Sequence, residues 1–135
     1  MVKLATAEQS AQKKATRAAF GVTLAELDAE GVPVVAVDAD LTGSTTTKKF
    51  AQACPENAER LFNCGIAEQD MIDVAAGLSL TGNIAYTGSF AVFGTGRVYD
   101  QIRNTVCYSN LNVKIAPTHA GISVGPDGGT HQMLE

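Results

Sequence analysis

A chain of 135 residues, 45% hydrophobic and 18% charged, has room for one domain with a real apolar core. Its net charge of −4 and its ten dispersed Lys and Arg residues argue against a nucleic-acid surface, and no apolar run approaches the length of a membrane span. The first eight residues hold no apolar segment long enough for a signal peptide, and Cys54, Cys64 and Cys107 lack metal-like spacing, so reduced thiols in a cytoplasmic protein are expected.

In chain order, an Ala-rich stretch over residues 8–30 predicts one long helix, with Phe20, Leu24 and Leu27 as its stripe and Gly31 as its stop. Residues 32–38 are almost continuously apolar, the mark of a strand buried on both faces. A polar loop over 39–47 and a short helix over 48–54 follow. Residues 60–63 read as a strand that leads into a helix over 67–80, and Gly82-Asn83 turns the chain into a strand at 84–87. A helix over 97–110, with Tyr99, Ile102 and Val106 facing inward, precedes a strand over 111–116. The Gly-rich tail from 117 to 129 reads as a loop. This alternation predicts a three-layer αβα domain over 1–135, with a mainly parallel sheet and right-handed crossovers.

Glu68 opens the helix over 67–80 on the same face as Met71, Ile72 and Ala75. A carboxylate on a core-facing stripe is costly unless a protein group or a ligand meets it. Capping the helix N-terminus is the plain structural role. The functional one follows from position: Glu68 comes just after a strand, at the sheet edge where open parallel sheets bind ligands. Four further clusters fall at strand-to-loop junctions: Asp40 with Ser44, Ser89 with Phe90, His119, and Asp127 with His131. In a parallel sheet these junctions share one edge and can build one site.

Each of these residues also has an ordinary reading. Asp40 and Leu41 suit a turn, Phe90 and Phe93 suit core packing, and Arg17 suits a solvated helix surface. His119 and His131 are the only histidines; with Asp127 between them they form no metal-ligand spacing, and no metal site is assigned.

Six segments give the arrangement a family likeness: ATR (15–17), DADLTGS (38–44), GIAEQDM (65–71), GSFAVF (88–93), RVYDQIR (97–103) and THAGISVGPDGGTHQ (118–132). In this order they resemble the pyrimidine-binding domain of the transketolase family, over nearly the whole chain. Gln69, where many single-chain members have His, is similar to the C-terminal subunit of a split transketolase. The resemblance implies the thiamine-diphosphate-binding fold and the transfer of two-carbon ketol units between sugar phosphates, as in pentose phosphate metabolism.

By the same resemblance, Glu68 is the catalytic glutamate that hydrogen-bonds N1′ of the cofactor's aminopyrimidine. An apolar face suits a carboxyl that shares a proton with a ring nitrogen. Phe90 and Phe93 match the aromatic wall against that ring, and Asp40 and Leu41 match residues lining the cofactor near a dimer interface. His119 and His131 match catalytic residues that contact substrate oxygens, and Asp127 matches a reader of a sugar hydroxyl. Arg17 and Ser44 match the holders of a sugar phosphate group.

The chain also departs from the family's pattern. It has no Gly-Asp-Gly motif, so the Mg²⁺-diphosphate end of the cofactor is expected on a partner domain or subunit, in a homodimer or heterotetramer, with this chain inactive alone. Gly96 supplies no side chain where some members place a third aromatic. The family's domain runs on past Glu135 and a further domain follows it, so a piece of a longer subunit with an exposed apolar edge is expected. A component of a 1-deoxyxylulose-5-phosphate synthase or a dihydroxyacetone synthase-like enzyme, and a non-catalytic assembly module of the same fold, are the alternatives.

Overall fold

The computed structural model describes residues 6–11, 15–122 and 124–133. Residues 12–14 of the expected first helix, Ser123 of the last motif and the chain end at Glu135 lie outside the described residues. The elements in chain order are α1 (Ala7–Ala11), α2 (Arg17–Ala29), β1 (Val34–Asp38), α3 (Thr42–Thr45), α4 (Lys48–Ala53), α5 (Pro55–Ala58), β2 (Leu61–Asn63), α6 (Glu68–Ser79), β3 (Ile84–Gly88), α7 (Tyr99–Gln101) and β4 (Val113–Ile115). A π-helical turn, Val92–Gly96, precedes α7, which runs on as a π-helical segment, Ile102–Tyr108. A 3₁₀ turn spans Gly125–Thr130. No helix among the described residues is long and apolar enough to cross a membrane.

The four strands pair in the order β2-β1-β3-β4, all parallel. Every residue of β1 is buried, as its apolar run requires of a central strand. Alternation along β1 divides the core in two. Val34 and Ala36 pack with Leu24 of α2 and Phe50 of α4. Val35 and Val37 pack on the other face with Met71, Ile72 and Ala75 of α6 and with Val98 and Val106. The result is a three-layer αβα architecture, as the alternation predicts.

Two elements differ from expectation. The single helix over 8–30 is interrupted at Ala15 and Thr16, which are not helical, and α2 starts at Arg17. α1 buries none of its residues, and so short a helix gains nothing from propensity alone without packing. The stripe that carries the helix begins only at Phe20. Tyr99 is 69% exposed rather than inward; Val98, Ile102 and Val106, four residues apart, form the inner face of a segment that is π-helical from Ile102. The predicted loop at 39–47 also contains the single turn α3, and the tail contains the 3₁₀ turn.

The loop after β1 is built around Asp38, which is fully buried. Its Oδ1 accepts the Leu41 N–H at 2.6 Å, and its Oδ2 accepts hydroxyl bonds from Thr45 and Thr47, each at 2.8 Å. Burial pushes the Asp38 carboxyl above its ordinary value, and these three donors work against that rise. Thr46, at φ +68°, turns back to α2: its hydroxyl donates to the Arg17 carbonyl at 2.6 Å and accepts from the Gly21 N–H at 3.3 Å. α2 approaches so closely that a Cβ on Gly21 would lie 1.9 Å from the Thr46 carbonyl oxygen. The N-terminus of α2, and Arg17 with it, is thereby fixed beside the C-terminal edge of the sheet.

Candidate active site

The expected residues gather at that edge around two neighbouring pockets. The smaller, about 210 Å³, is lined by Ala39, Asp40, Leu41, Ile66, Glu68, Phe93 and Arg97. The larger, about 890 Å³ and wide open, has Arg17, Ser44, Phe90, His119 and Asp127 among its lining residues. The Phe90 and Phe93 rings lie 6.4 Å apart and nearly parallel, at 15°, one lining each pocket. His131 stands edge-on to both, 5.1 Å from Phe93 and 6.1 Å from Phe90, and so joins the two groups.

Three backbone devices place the smaller pocket. Asp40 takes a positive φ of 62° at the end of β1. The Asn63 side chain, at the end of β2, accepts from the Asp40 and Gly65 N–H groups at 3.0 Å each, tying the two strand ends together. Gly65, at φ +68°, then turns the chain into α6. Glu68 is only 3% exposed. Its carboxylate is met by Arg97, whose Nη1 donates to Oε2 at 2.9 Å, and not by a helix N–H group. Capping is therefore not its role among the described residues. The Arg97 guanidinium also sits over the Phe93 ring, 4.4 Å from its centroid.

The larger pocket depends on an extension of the sheet. Beyond β3 and β4, Phe90 bridges to Thr118. Thr118 N–H donates to the Ser89 carbonyl at 2.9 Å, and Ala91 N–H donates to the Thr118 carbonyl at 2.8 Å. His119, at φ +60°, then presents its ring to Phe90 at 4.1 Å between centroids. Arg17 Nη1 lies 3.3 Å from His119 Nε2, and the Thr118 hydroxyl lies 2.6 Å from Nδ1. A guanidinium only donates, so Nε2 accepts and the proton sits on Nδ1, which donates to Thr118. Burial, then the Arg17 charge, pushes the His119 pKa below the usual 6.5, with Asp127 acting in the opposite sense.

A ring-proton NMR titration is expected to put the His119 midpoint below 6.5, and Arg17→Ala is expected to move it upward; a midpoint unmoved by that substitution would refute the pairing. The sign for stability follows. A depressed histidine pKa contributes stability above the unfolded value, and that contribution is lost as pH falls through the 6.5 region.

The ten expected site residues all lie at this edge, but sequence reasoning missed four that organise it: Asp38, Asn63, Arg97 and Thr118. Asn63 and Thr118 had a signal, since each ends a strand beside an expected site residue. The space beside Gly96, where a third aromatic is absent, is filled by Met133: a Cβ on Gly96 would lie 3.1 Å from the Met133 Cε.

Residues 12–135 match the family described as transketolase, pyrimidine binding domain. A Methanocaldococcus jannaschii protein named as a transketolase C-terminal section is 52% identical over 122 residues, which cover 90% of this chain and 38% of that protein. A Clostridium protein named as a 6-deoxy-6-sulfo-D-fructose transketolase subunit is 43% identical over 102 residues, covering 76% of this chain and 31% of that one. A solved structure described as a split gene transketolase, inactive beta4 tetramer, superposes with a TM-score of 0.70 at 54% identity, covering 82% of this chain and 36% of that one. The chain thus spans about a third of the length of these relatives.

Proposed function

The chain belongs to the transketolase pyrimidine-binding domain family, and from that premise we propose that it is the pyrimidine-binding half of a thiamine-diphosphate-dependent transketolase. Its reaction is the transfer of two-carbon ketol units between sugar phosphates in the cytoplasm, once a subunit holding Mg²⁺ and the diphosphate joins it. One observation carries the reading: Glu68 is buried at a small pocket walled by Phe93, with a planar, nitrogen-bearing group already bridging carboxylate and ring. A pocket that accepts a guanidinium in this way fits an aminopyrimidine. Thiamine diphosphate, when bound, supplies the electron sink for breaking and making a carbon–carbon bond.

The chain's own residues do the rest. Of these residues, Glu68 would hydrogen-bond the pyrimidine nitrogen, Phe90 and Phe93 would wall the ring, and Asp40 and Leu41 would close the pocket's rim. Arg17 and Ser44 hold the substrate phosphate. The fork of Arg17 suits it to that task. When Arg17 turns to a phosphate, His119 Nε2 becomes free to accept a hydroxyl proton, while Nδ1 stays anchored on Thr118. His131 and Asp127 contact the remaining sugar oxygens.

The partner dependence draws support from the absence of a Gly-Asp-Gly motif and from the inactive beta4 tetramer described for the split gene relative. We assign a heterotetramer, with the pyrimidine-binding chains meeting as a dimer.

Calorimetric titration of thiamine diphosphate with Mg²⁺, into this chain alone and into its mixture with the diphosphate-binding subunit, tests the assignment. Binding in the mixture only is expected; tight binding to the chain alone, or none to either, rejects it. Within the active complex, Arg17→Ala is expected to raise KM for a phosphorylated sugar about tenfold, and for its unphosphorylated analogue far less. Equal losses for both would remove the phosphate role.

A further inference from the structure

Arg97 makes two contacts at once, and both belong to the surface that the proposed function gives to the aminopyrimidine. Its Nη1 donates to Glu68 Oε2 at 2.9 Å, and its guanidinium lies over Phe93 at 4.4 Å. Glu68 and Phe93 line the same 210 Å³ pocket as Arg97 itself. The guanidinium lies on the Phe93 face that a stacked heterocycle would need, and it takes one of the two oxygens of the carboxylate that the heterocycle would bond.

The two partners of the ion pair differ sharply in exposure: the Glu68 side chain is 4% exposed and that of Arg97 46%. Glu68 is held in place at the start of α6, with the core residues Met71 and Ile72 on its own face. Arg97 follows the π-helical turn Val92–Gly96, and its own residue is exposed, so its head group reaches water by side-chain rotation alone. The fixed carboxylate and the movable cation define which one yields.

Resting on the reading of this pocket as the aminopyrimidine site, we propose that Arg97 is an internal occupant of that site, which pairs Glu68 in the empty chain and is displaced into solvent when the cofactor ring enters. Arg97 then acts as a positioning residue. It keeps a buried carboxylate satisfied while the pocket is empty, which would otherwise be costly, and it sets a threshold on cofactor entry. The pairing links the emptiness of the pocket to a single exchangeable contact. A planar nitrogen-bearing ring restores both of the contacts it displaces, whereas a ligand lacking an edge nitrogen leaves Glu68 unpaired. Arg97 therefore also favours the correct ring over apolar occupants of the same size.

The test is the affinity of the assembled complex for thiamine diphosphate with Mg²⁺, measured calorimetrically for the unmodified protein, R97Q and R97A. Because a half-exposed ion pair and a cation–π contact no longer have to be broken, both variants are expected to bind the cofactor about tenfold more tightly. R97Q keeps a neutral group of similar length against Glu68 and preserves the fold if R97A does not. In an E68Q background the gain from R97Q is expected to shrink, since the ion pair is already gone and only the contact with Phe93 is left to release.

Equal or weaker binding by R97Q and R97A, with normal binding by the unmodified complex, overturns the proposal and makes Arg97 a permanent partner of Glu68. No binding by the unmodified complex overturns the assignment of the pocket itself, which is a separate result.

Discussion

Glu68→Ala is expected to lower the turnover of the assembled enzyme by about a thousandfold while leaving the chain folded. The loss in rate follows from the place of Glu68: it is the buried carboxylate of the smaller pocket, and among the described residues the only other acid lining that pocket is the exposed Asp40. The tolerance of the fold follows from the identity of its partner. Removing one member of a buried ion pair strands the other, and that is severe when the survivor is also buried. Here the survivor is Arg97, which is half exposed and hydrates once released. Thermal unfolding followed by circular dichroism is expected to shift by a few degrees at most, and steady-state kinetics of the complex to report the collapse in rate. Near-normal turnover would return Glu68 to a structural role; global unfolding would show that the carboxylate holds α6 in place.

The second large effect is on stability. Asp38→Ala removes the acceptor for the Leu41 N–H and for the Thr45 and Thr47 hydroxyls, deep beneath the loop that joins β1 to α4. With the Leu41 N–H left unsatisfied and the two hydroxyls thrown back on each other and on the Leu41 carbonyl, a loss of about 3 kcal/mol is expected in denaturant melts. The damage also spreads to both pockets, because this loop brings Asp40 and Leu41 to one and Ser44 to the other.

Asp38→Asn separates charge from shape. Burial raises the Asp38 carboxyl pKa in the fold, so the native state binds more protons than the unfolded chain above the ordinary value of 3.8. Stability from this group is therefore lost as pH rises from 3.8 through the raised value. The Asn variant, lacking that titration, is expected to flatten the stability profile there while costing less than Ala. An unchanged profile would show that Asp38 is not the group responsible.

The layers of the fold were readable because two signals agree along the chain. The apolar run at 32–38 belongs to a strand covered on both faces, and the stripe of Met71, Ile72 and Ala75 belongs to a helix lying on one of them. The gathering of Ser44, Glu68, Phe90 and His119 followed from parallel strands alone, because every strand then ends at the same edge; Arg17, at the start of a helix, was placed there only by the family likeness. Arg97 did not follow. As one charged residue at a predicted helix start it looks solvated, and only the turn at Val92–Gly96 aims it back at Glu68. The interruption at Ala15 and Thr16 was hidden for the opposite reason, since Ala-rich composition favours helix whether or not a core exists beneath it. Asp38 reads in the sequence as the last residue of a strand; that it is the buried hub of three hydrogen bonds appears only when the threonines at 45 and 47 fold back onto it.

The placement of β1 at the centre of the sheet has a kinetic consequence. Its pairing partners, Ala36 with Leu61 and Val34 with Ile84, both lie far downstream. No local hairpin stabilises the strand, and the entropy of closing two long loops is spent before any ladder forms. A chain emerging from the ribosome therefore carries its most apolar strand unpaired until β2 has followed, and paired on one side only until β3 has. During that interval the run Val34–Asp38 is the segment most open to chaperones and to association with its own copies. Refolding from denaturant is expected to be slow for a domain this small, with residues of β1, α6 and β3 gaining protection from hydrogen exchange together rather than in chain order.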